Sequence, residues 1–489
     1  ILWIRVCISS AAFSVSVNGS LEGFFTSARG IRQGCSLSPY LYVILNNVLS
    51  KMLNRAACEH QFEYHPQCKK VQLTHISFAD DILVFTDGSV RSLRGVLTVM
   101  DKFATISGLH INATKSSIFA SGQTIREVVQ EAALLGLKVG KLPVRYLGMP
   151  LTTKALTKQD YEPLIDRVRR RMLSWRNKYL SYAGRLQLIK SVISSIVNFW
   201  SQAFILPKAC LDEIENMCSA FLWSGSPNQT HKVKVAWDDL CCPKQEGGLG
   251  VRKLRDSSKV FAMSLIWKIF SLKSSLWVSW IQEYLLRQKS FWDVKDDGKG
   301  SWVWRKLLKL RLQVYEFIRF EVHDGHTAFF WVDDWLQVGK LIDITGPIGT
   351  CHLRIDRHAR VRDAAGNSSW NIRGHRSRYF QELIDRIRTV QLPHETLGHD
   401  VALWKHSDDN YKPYFSSSTT WEQVRDKKPV VFWSKVVWFK QGVPRFSFIL
   451  WLAVKNRLST GDRMRVWGIQ QGCVLCGERD ETRDHLFFA

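Results

Sequence analysis

Two constellations in this chain have residue types and spacings that could do chemistry. The first is the adjacent pair Asp80-Asp81, set in Phe78-Ala79-Asp80-Asp81 between the apolar runs Val71 to Ser77 and Ile82 to Phe85. Two strand-forming runs joined through neighbouring carboxylates predict a β-hairpin whose tip carries two negative charges, which repel unless a cation shares them. Magnesium suits such a tip, because it prefers one or two carboxylates plus substrate phosphates, and paired metals clamp the attacking and leaving oxygens of a phosphoryl transfer. An ordinary acidic turn has the same two residues, since Asp is common at turns. The second constellation is Cys473-Val474-Leu475-Cys476 with Asp484-His485 following. A two-residue gap lets both thiolates reach one metal, and His485 adds an imidazole, a donor set that zinc takes.

The elements that must position these groups are partly visible. Gly30-Ile31-Arg32-Gln33-Gly34-Cys35-Ser36-Leu37-Ser38-Pro39 precedes the apolar-periodic stretch Tyr40 to Leu53, so Ser38 is expected to cap a helix that Pro39 opens, with Gln33-Gly34 at its mouth. Further on, Tyr161, Leu164, Ile165, Val168, Met172 and Trp175 recur at helical spacing, while Arg167, Arg169, Arg170, Arg171, Arg176 and Lys178 crowd the other faces. That pattern predicts one amphipathic helix over 161–178 with a basic outer face. Such a face either neutralises nucleic-acid phosphates without reading bases or is simply solvated. Leu180 to Val192 predicts a second helix packed on the first.

Composition favours a polyanionic partner. Lys and Arg total 68 against 44 acidic residues, a net charge of +24, which fits nucleic acid and also an anionic membrane surface. At 489 residues with 45% apolar content, the chain has room for about three domains with real cores. No stretch has the roughly 18 or more uninterrupted apolar residues of a membrane helix, and the best, Val192 to Leu206, is short and contains Ser, Asn and Gln. Ile1 to Val17 is apolar but lacks Met and a clean basic start, so it is expected as a helix-to-strand segment inside a fold with a truncated N-terminus. Without a secretory signal, the scattered cysteines and the adjacent Cys241-Cys242 read as free thiols in a reducing compartment. Trp is dense between Trp200 and Phe415, where core packing is expected for most rings, although aromatics among basic residues also stack on bases. Asp333-Asp334 is a second acidic pair with nothing around it like the hairpin. Asp296 to Gly300 is expected as a linker and Gly247-Gly248 as a turn.

The Gln33-Gly34 loop with its Ser38-Pro39 helix start, followed by Phe78-Ala79-Asp80-Asp81, resembles in order and spacing the reverse transcriptase of plant LINE-type, non-LTR retrotransposons. Gly108 to Ser116, Tyr146 to Leu151, and Leu180 to Val192 are similar to later parts of that enzyme. Phe432 to Ala489, with the run Pro444 to Ala453, resembles the zinc-binding domain that follows it, and Pro243 to Gly250 recurs in the family without naming a chemistry. The resemblance implies an α+β fold: a partial right-hand polymerase, an aromatic-rich and mostly helical connector, and a small C-terminal zinc-binding helical module. The expected domains are 1–120 for a partial fingers and palm, 121–206 for the palm–thumb junction and basic helical thumb, 207–415 for the connector, and 416–489 for a truncated zinc-binding domain. It implies RNA-directed DNA polymerisation, with Asp80 and Asp81 catalytic and holding magnesium. Gln33 and Gly34 would touch template and incoming nucleotide, and Lys115 would reach the departing phosphate. Arg167, Arg169, Arg170, Arg171, Arg176 and Lys178 would follow the nucleic-acid backbone, and Cys473, Cys476 and His485 would hold zinc. Partners would be an RNA template, a DNA primer or RNA–DNA hybrid, and deoxynucleoside triphosphates, with no membrane, in the nucleus or cytoplasm.

Three departures from the family pattern modify these expectations. Ser36 stands where the family carries Pro, which loosens the loop by freeing φ. The family's third carboxylate is an Asp on a strand before the Gln-Gly loop, whereas Glu22 is the only acid before Arg29. A misplacement of about 1 Å costs on the order of a hundredfold in rate, so this polypeptide is expected to be inactive alone. The family's Cys after the His-Leu-Phe-Phe stretch would fall just beyond Ala489, leaving water or a distant residue as fourth zinc ligand. The competing expectation is a non-catalytic RNA- or DNA-binding remnant that uses the basic helix, the aromatics and the zinc module as a platform.

Overall fold

Apolar residues at helical spacing build helices through most of the chain, and the strands are short and pair in twos and threes. A computed structural model describes residues 2–27, 30–122, 125–175, 179–229, 233–271, 274–366, 368–372, 380–479 and 481–488. Arg176 and Lys178 lie outside the described residues. The chain divides into two units, 1–144 and 145–489. Among the described residues no helix is long and apolar enough to cross a membrane.

In the first unit, α1 (Leu2–Ser9) leads into the antiparallel hairpin β1 (Ala12–Val17) and β2 (Ser20–Thr26), the helix-to-strand passage expected there. Its turn residues Asn18 and Gly19 have φ of 51° and 90°, the left-handed pair that a two-residue hairpin requires. Helix α2 (Ser38–Cys58) buries Leu49, Leu53, Ala56 and Ala57 with Phe62 and with Val99, Met100 and Phe103 of α3 (Val90–Ser107) once β3 (His75–Phe78) and β4 (Asp81–Val84) have crossed between them in sequence. Ile82 and Val84 of β4 pack on this cluster. The expected cap at Ser38 is corrected: the N-cap is Leu37, and Ser38 is the first helical residue. Its hydroxyl donates to the Arg32 carbonyl at 2.5 Å, because the preceding turn brings that acceptor back within reach.

In the second unit, α4 (Lys158–Leu173) opens where the Asp160 carboxylate accepts the Thr157 backbone N–H at 2.7 Å. Tyr161, Leu164, Ile165, Val168 and Met172 share a core with Trp175 as their spacing predicts, but the helix expected to run to 178 ends at Leu173, with Ser174 as its C-cap and Trp175 beyond it. They pack with α5 (Tyr182–Leu188), a π-helical turn at Ile189–Ile193, α6 (Ser194–Ser201) and α7 (Lys208–Ser224). The second helix expected after Leu180 is therefore present and widened by the π-turn.

A second core runs from Ala262 to Trp404, with Phe291, Phe330, Trp331 and Trp404 fully enclosed and Trp267 edge-on to Trp404 at 5.6 Å. Trp223, Trp267, Trp304, Trp331 and Trp335 are buried as core residues, whereas Trp277 is exposed. Besides its helices, the stretch read as mostly helical contains a small antiparallel sheet of β5 (Ile318–Glu321), β6 (Val401–Ser407) and β7 (Asn410–Lys412), with β6 central. One expectation is corrected here. Asp296 to Gly300 is an exposed loop of one core and not a domain linker, because Phe291 and Trp292 before it share that core with Trp304 and Leu307 after it. Polar, Gly-containing composition reports solvent exposure, which a surface loop and a linker have in common.

The first core is closed from far along the chain. Helix Pro444–Val454 brings Phe448 onto Tyr182, stacked at 5.3 Å, and its Trp451 indole N–H donates to the Gly247 carbonyl at 2.9 Å. Buried Arg425 reaches Glu246 through both terminal nitrogens. The expected Gly247-Gly248 turn is present with a reason for each residue. Gly247 has φ +83°, and a Cβ on Gly248 would lie 2.3 Å from the Cys242 carbonyl oxygen.

The Asp333-Asp334 pair is buried inside the second core. Asp334 accepts from Arg319 and from the Gly339 N–H, and nearby Asp400 accepts the backbone N–H groups of His323, Gly325, Thr327 and Ala328. Asp333 accepts the Phe329 N–H at 2.7 Å, yet burial pushes its carboxyl up to about 7. The folded chain therefore holds a proton there that the unfolded chain has released above its ordinary pKa of 3.8. Stability is lost as pH rises from about 4 to about 7 and then levels off. Asp333→Asn keeps an acceptor for Phe329 and has no proton to lose. Calorimetric melting should show the variant matching the parent near pH 4 and exceeding it by several degrees near pH 8; a difference independent of pH would remove Asp333 as the source.

Candidate functional site

Phe78 pairs directly with Asp81, so the tip of the β3–β4 hairpin consists of Ala79 and Asp80. Ala79 has φ +51°, a conformation uncommon for a residue with a Cβ. Helix α2 holds it there: the Tyr42 hydroxyl donates to the Ala79 carbonyl at 2.9 Å. Burial, and then the negative charge of Asp80, raise the Tyr42 pKa, so the phenol stays a donor. Below Tyr42 the same helix face continues to engage β3 and the residue before it. Asn46 donates to the Ser77 hydroxyl at 3.3 Å, Ser50 meets His75 Nε2 at 2.9 Å, and Asn54 accepts from Thr74 at 2.6 Å. Burial lowers the His75 pKa, favouring its neutral ring. These four helix residues were not singled out in the sequence, although their polar types at i, i+4, i+8 and i+12 were there to be read.

Asp80 and Asp81 are both exposed at this tip. Two hard oxygen donors, open to solvent, leave room for water and phosphate around a divalent ion, which is the donor set magnesium accepts. Gln33 and Gly34 lie in the exposed loop before α2, with Gly34 at φ +79°. The Ser38-to-Arg32 bond ties that loop to the first turn of α2, one turn before Tyr42. The loop and the carboxylate tip are thus held at the same end of one helix. Lys115 lies on an exposed turn built by Asn112, whose side-chain oxygen accepts the Lys115 N–H at 3.1 Å.

The basic residues fall into two groups. Arg167, Arg170 and Arg171 line a cleft of about 820 Å³ with Ser174, Ser191, Val192, Ser195 and Ile196. Arg169 is spent elsewhere: it bridges Asp166 at 2.8 Å and Glu213 of α7 at 3.1 Å. The Asp166 contact is an i,i+3 pair along the same helix, whereas the Glu213 contact joins two helices and no local pattern reveals it.

The three soft donors come together. The sulfurs of Cys473 and Cys476 and a ring nitrogen of His485 all lie within 4.8 Å of one another, with Cys476 Sγ 3.1 Å from His485 Nε2. A tight turn presents the thiols: the Gly477 N–H donates to the Cys473 carbonyl at 2.8 Å and the Cys473 N–H to the Glu478 carbonyl at 2.7 Å. The amides of Cys476 and Leu475 lower the Cys473 thiol pKa, favouring the thiolate that binds metal. Glu478 stands 3.6 Å from His485 Nδ1, on the ring edge away from the sulfurs. Donors around tetrahedral zinc stand roughly 3.3–3.8 Å apart, given bonds of about 2.3 Å to sulfur and about 2.0 Å to nitrogen. The arrangement fits that ion after small side-chain rotations.

Residues 1–151 match the family described as reverse transcriptase (RNA-dependent DNA polymerase), and residues 415–489 match the family described as zinc-binding in reverse transcriptase. A protein of Arabidopsis thaliana named for a ribonuclease H is 32% identical over 355 residues, covering 69% of this chain and 55% of that protein. A 149 kDa protein of the Xenopus laevis transposon TX1 is 25% identical over 269 residues, covering 54% of this chain and 20% of that protein. The chain therefore spans about half the length of one curated relative and a fifth of the other.

Replacing Cys473 and Cys476 together by Ser should weaken zinc binding by at least about a hundredfold in competition with a chromophoric chelator near neutral pH. Glu478→Gln should cost about tenfold, the usual effect of releasing a ligand histidine from its outer partner. Undiminished affinity in the double variant would place the zinc elsewhere.

Proposed function

We propose that this chain, the reverse transcriptase region of a non-LTR retrotransposon with a C-terminal zinc-binding domain, contributes the paired carboxylates and a basic nucleic-acid surface for template-directed phosphodiester formation. The observation that carries the reading is the α2 face that fixes the Ala79-Asp80 turn at the same helix end as the Gln33-Gly34 loop. Magnesium held by Asp80 and Asp81 would supply positive charge at the attacking and leaving oxygens. The chain's own residues do the positioning. Gln33 and Gly34 bear on template and incoming nucleotide, Lys115 reaches toward the departing phosphate, and Arg167, Arg170 and Arg171 neutralise backbone phosphates. In this reading residues 1–120 serve as part of the fingers and palm, 121–206 as the palm–thumb junction and thumb, 207–415 as a connector, and 416–489 as the zinc-binding domain.

Glu22 is the only acid among residues 1–29, so nothing there matches the family's third carboxylate. With Asp80 and Asp81 alone the ion is underdetermined, and residues 1–489 are expected not to extend a primer with magnesium or manganese. Fusing an Asp-bearing strand from a relative ahead of the loop should restore extension that Asp80→Asn abolishes. Extension by residues 1–489 alone would show that another group completes the site.

A second reading, binding of RNA or DNA without catalysis, is favoured by the arginine cleft, which needs no carboxylate. Both readings predict that Arg167→Gln, Arg170→Gln and Arg171→Gln together flatten the slope of log affinity against log salt by about 2 to 3. Arg169→Gln should leave the slope nearly unchanged, since Asp166 and Glu213 already neutralise that charge. An unaltered slope in the triple variant would move the nucleic-acid contact off this cleft.

A further inference from the structure

Three serines share the arginine cleft, and two of them have already committed their protons. Ser174 Oγ donates to the Arg171 carbonyl at 2.7 Å, and Ser191 Oγ donates to the Gln187 carbonyl at 2.8 Å. Each oxygen therefore meets a ligand as a hydrogen-bond acceptor. A phosphate oxygen is also an acceptor and gains nothing from them; the guanidinium groups of Arg167, Arg170 and Arg171, which only donate, are its partners. What the two serine oxygens can receive is a donor that sits beside the phosphate along a nucleic-acid backbone. RNA has one in the ribose 2′-hydroxyl, and DNA lacks it. Val192 and Ile196 add apolar surface to the same cleft, suited to the carbon face of the sugar.

We propose that Ser174 and Ser191 are specificity-determining residues that make this cleft prefer an RNA strand to a DNA strand of the same sequence. The inference rests on the reading that the cleft holds a nucleic-acid backbone, and it adds which strand and by which atoms. A helix face of arginines alone binds both polymers by charge. The committed serines turn that face into a chemical filter.

The test is fluorescence anisotropy on residues 1–489 with three single-stranded ten-mers of one sequence: RNA, DNA, and RNA whose 2′-hydroxyls are replaced by fluorine. The fluoro strand keeps the RNA sugar conformation and loses the donor. RNA should bind at least about fivefold tighter than DNA, the ordinary yield of one hydrogen bond, with the fluoro strand grouping with DNA. Ser174→Ala with Ser191→Ala should bring RNA down to the DNA level and leave DNA affinity unchanged, and that unchanged affinity also reports that the variant is folded. Equal binding of RNA and DNA, a preference that survives the double substitution, or a fluoro strand that binds like RNA would each overturn the assignment. Binding indifferent to Arg167→Gln, Arg170→Gln and Arg171→Gln, or no binding of any strand, would remove the underlying reading and this inference with it.

Discussion

A column of polar side chains four residues apart, Tyr42, Asn46, Ser50 and Asn54, fixes the β3–β4 hairpin whose tip carries Asp80 and Asp81. It works because two repeats nearly coincide. Four residues of α-helix rise about 6.0 Å, and two residues of strand rise about 6.6 Å. Every fourth helix residue can therefore meet every second strand residue, and Ala79, Ser77 and His75 are met in that order. Two adjacent carboxylates, Asp80 on a strained two-residue turn and Asp81 on the strand that leaves it, have every electrostatic reason to splay apart. Bonds along the helix, made to the backbone of the turn and to side chains behind it, hold the geometry without using the carboxylates themselves. Asp80 and Asp81 are left free for a cation.

What the sequence makes legible follows from how local each feature is. The hairpin, the Gly-Gly turn, the buried face of α4 and the soft-donor cluster all depend on residues a few positions apart, so spacing reveals them. The polar column was as local as these, but a search for apolar periodicity treats Tyr42, Asn46, Ser50 and Asn54 as interruptions of a core face. Other features were out of reach for physical reasons. Arg169 looks like its neighbours until Glu213 arrives from another helix. The β5 strand finds its partner β6 80 residues later, and four-residue strands carry too little pattern to announce themselves. In each case a tertiary partner decided among options the local sequence left open.

The second unit shows how a motif without chemistry can still be specified residue by residue. Pro243 to Gly250 forms a socket. Its Glu246 receives Arg425, its Gly247 carbonyl receives the Trp451 indole, and its Gly248 lies too close to Cys242 for any side chain. Removing either partner of the buried Arg425–Glu246 pair would strand a charge, which is far more costly than losing an exposed pair. The stretch from Arg425 to the helix Pro444–Val454, which precedes the soft metal donors in sequence, is therefore anchored to the first core by packing, by an ion pair and by an indole hydrogen bond.

That closure has a consequence in time. Gly247 and Trp451 are 204 residues apart, so at synthesis rates of about 5–20 residues per second the socket is made roughly 10–40 s before the indole that fills it. During that interval the helices from Lys158 to Ser224 have left the ribosome with Tyr182 and Trp223 still lacking the Phe448 ring that covers them. The nascent chain must carry an open apolar seat through the whole synthesis of the intervening tryptophan-rich core. The delay between making the seat and filling it is thus set by the 204 residues of chain between one glycine carbonyl and one tryptophan.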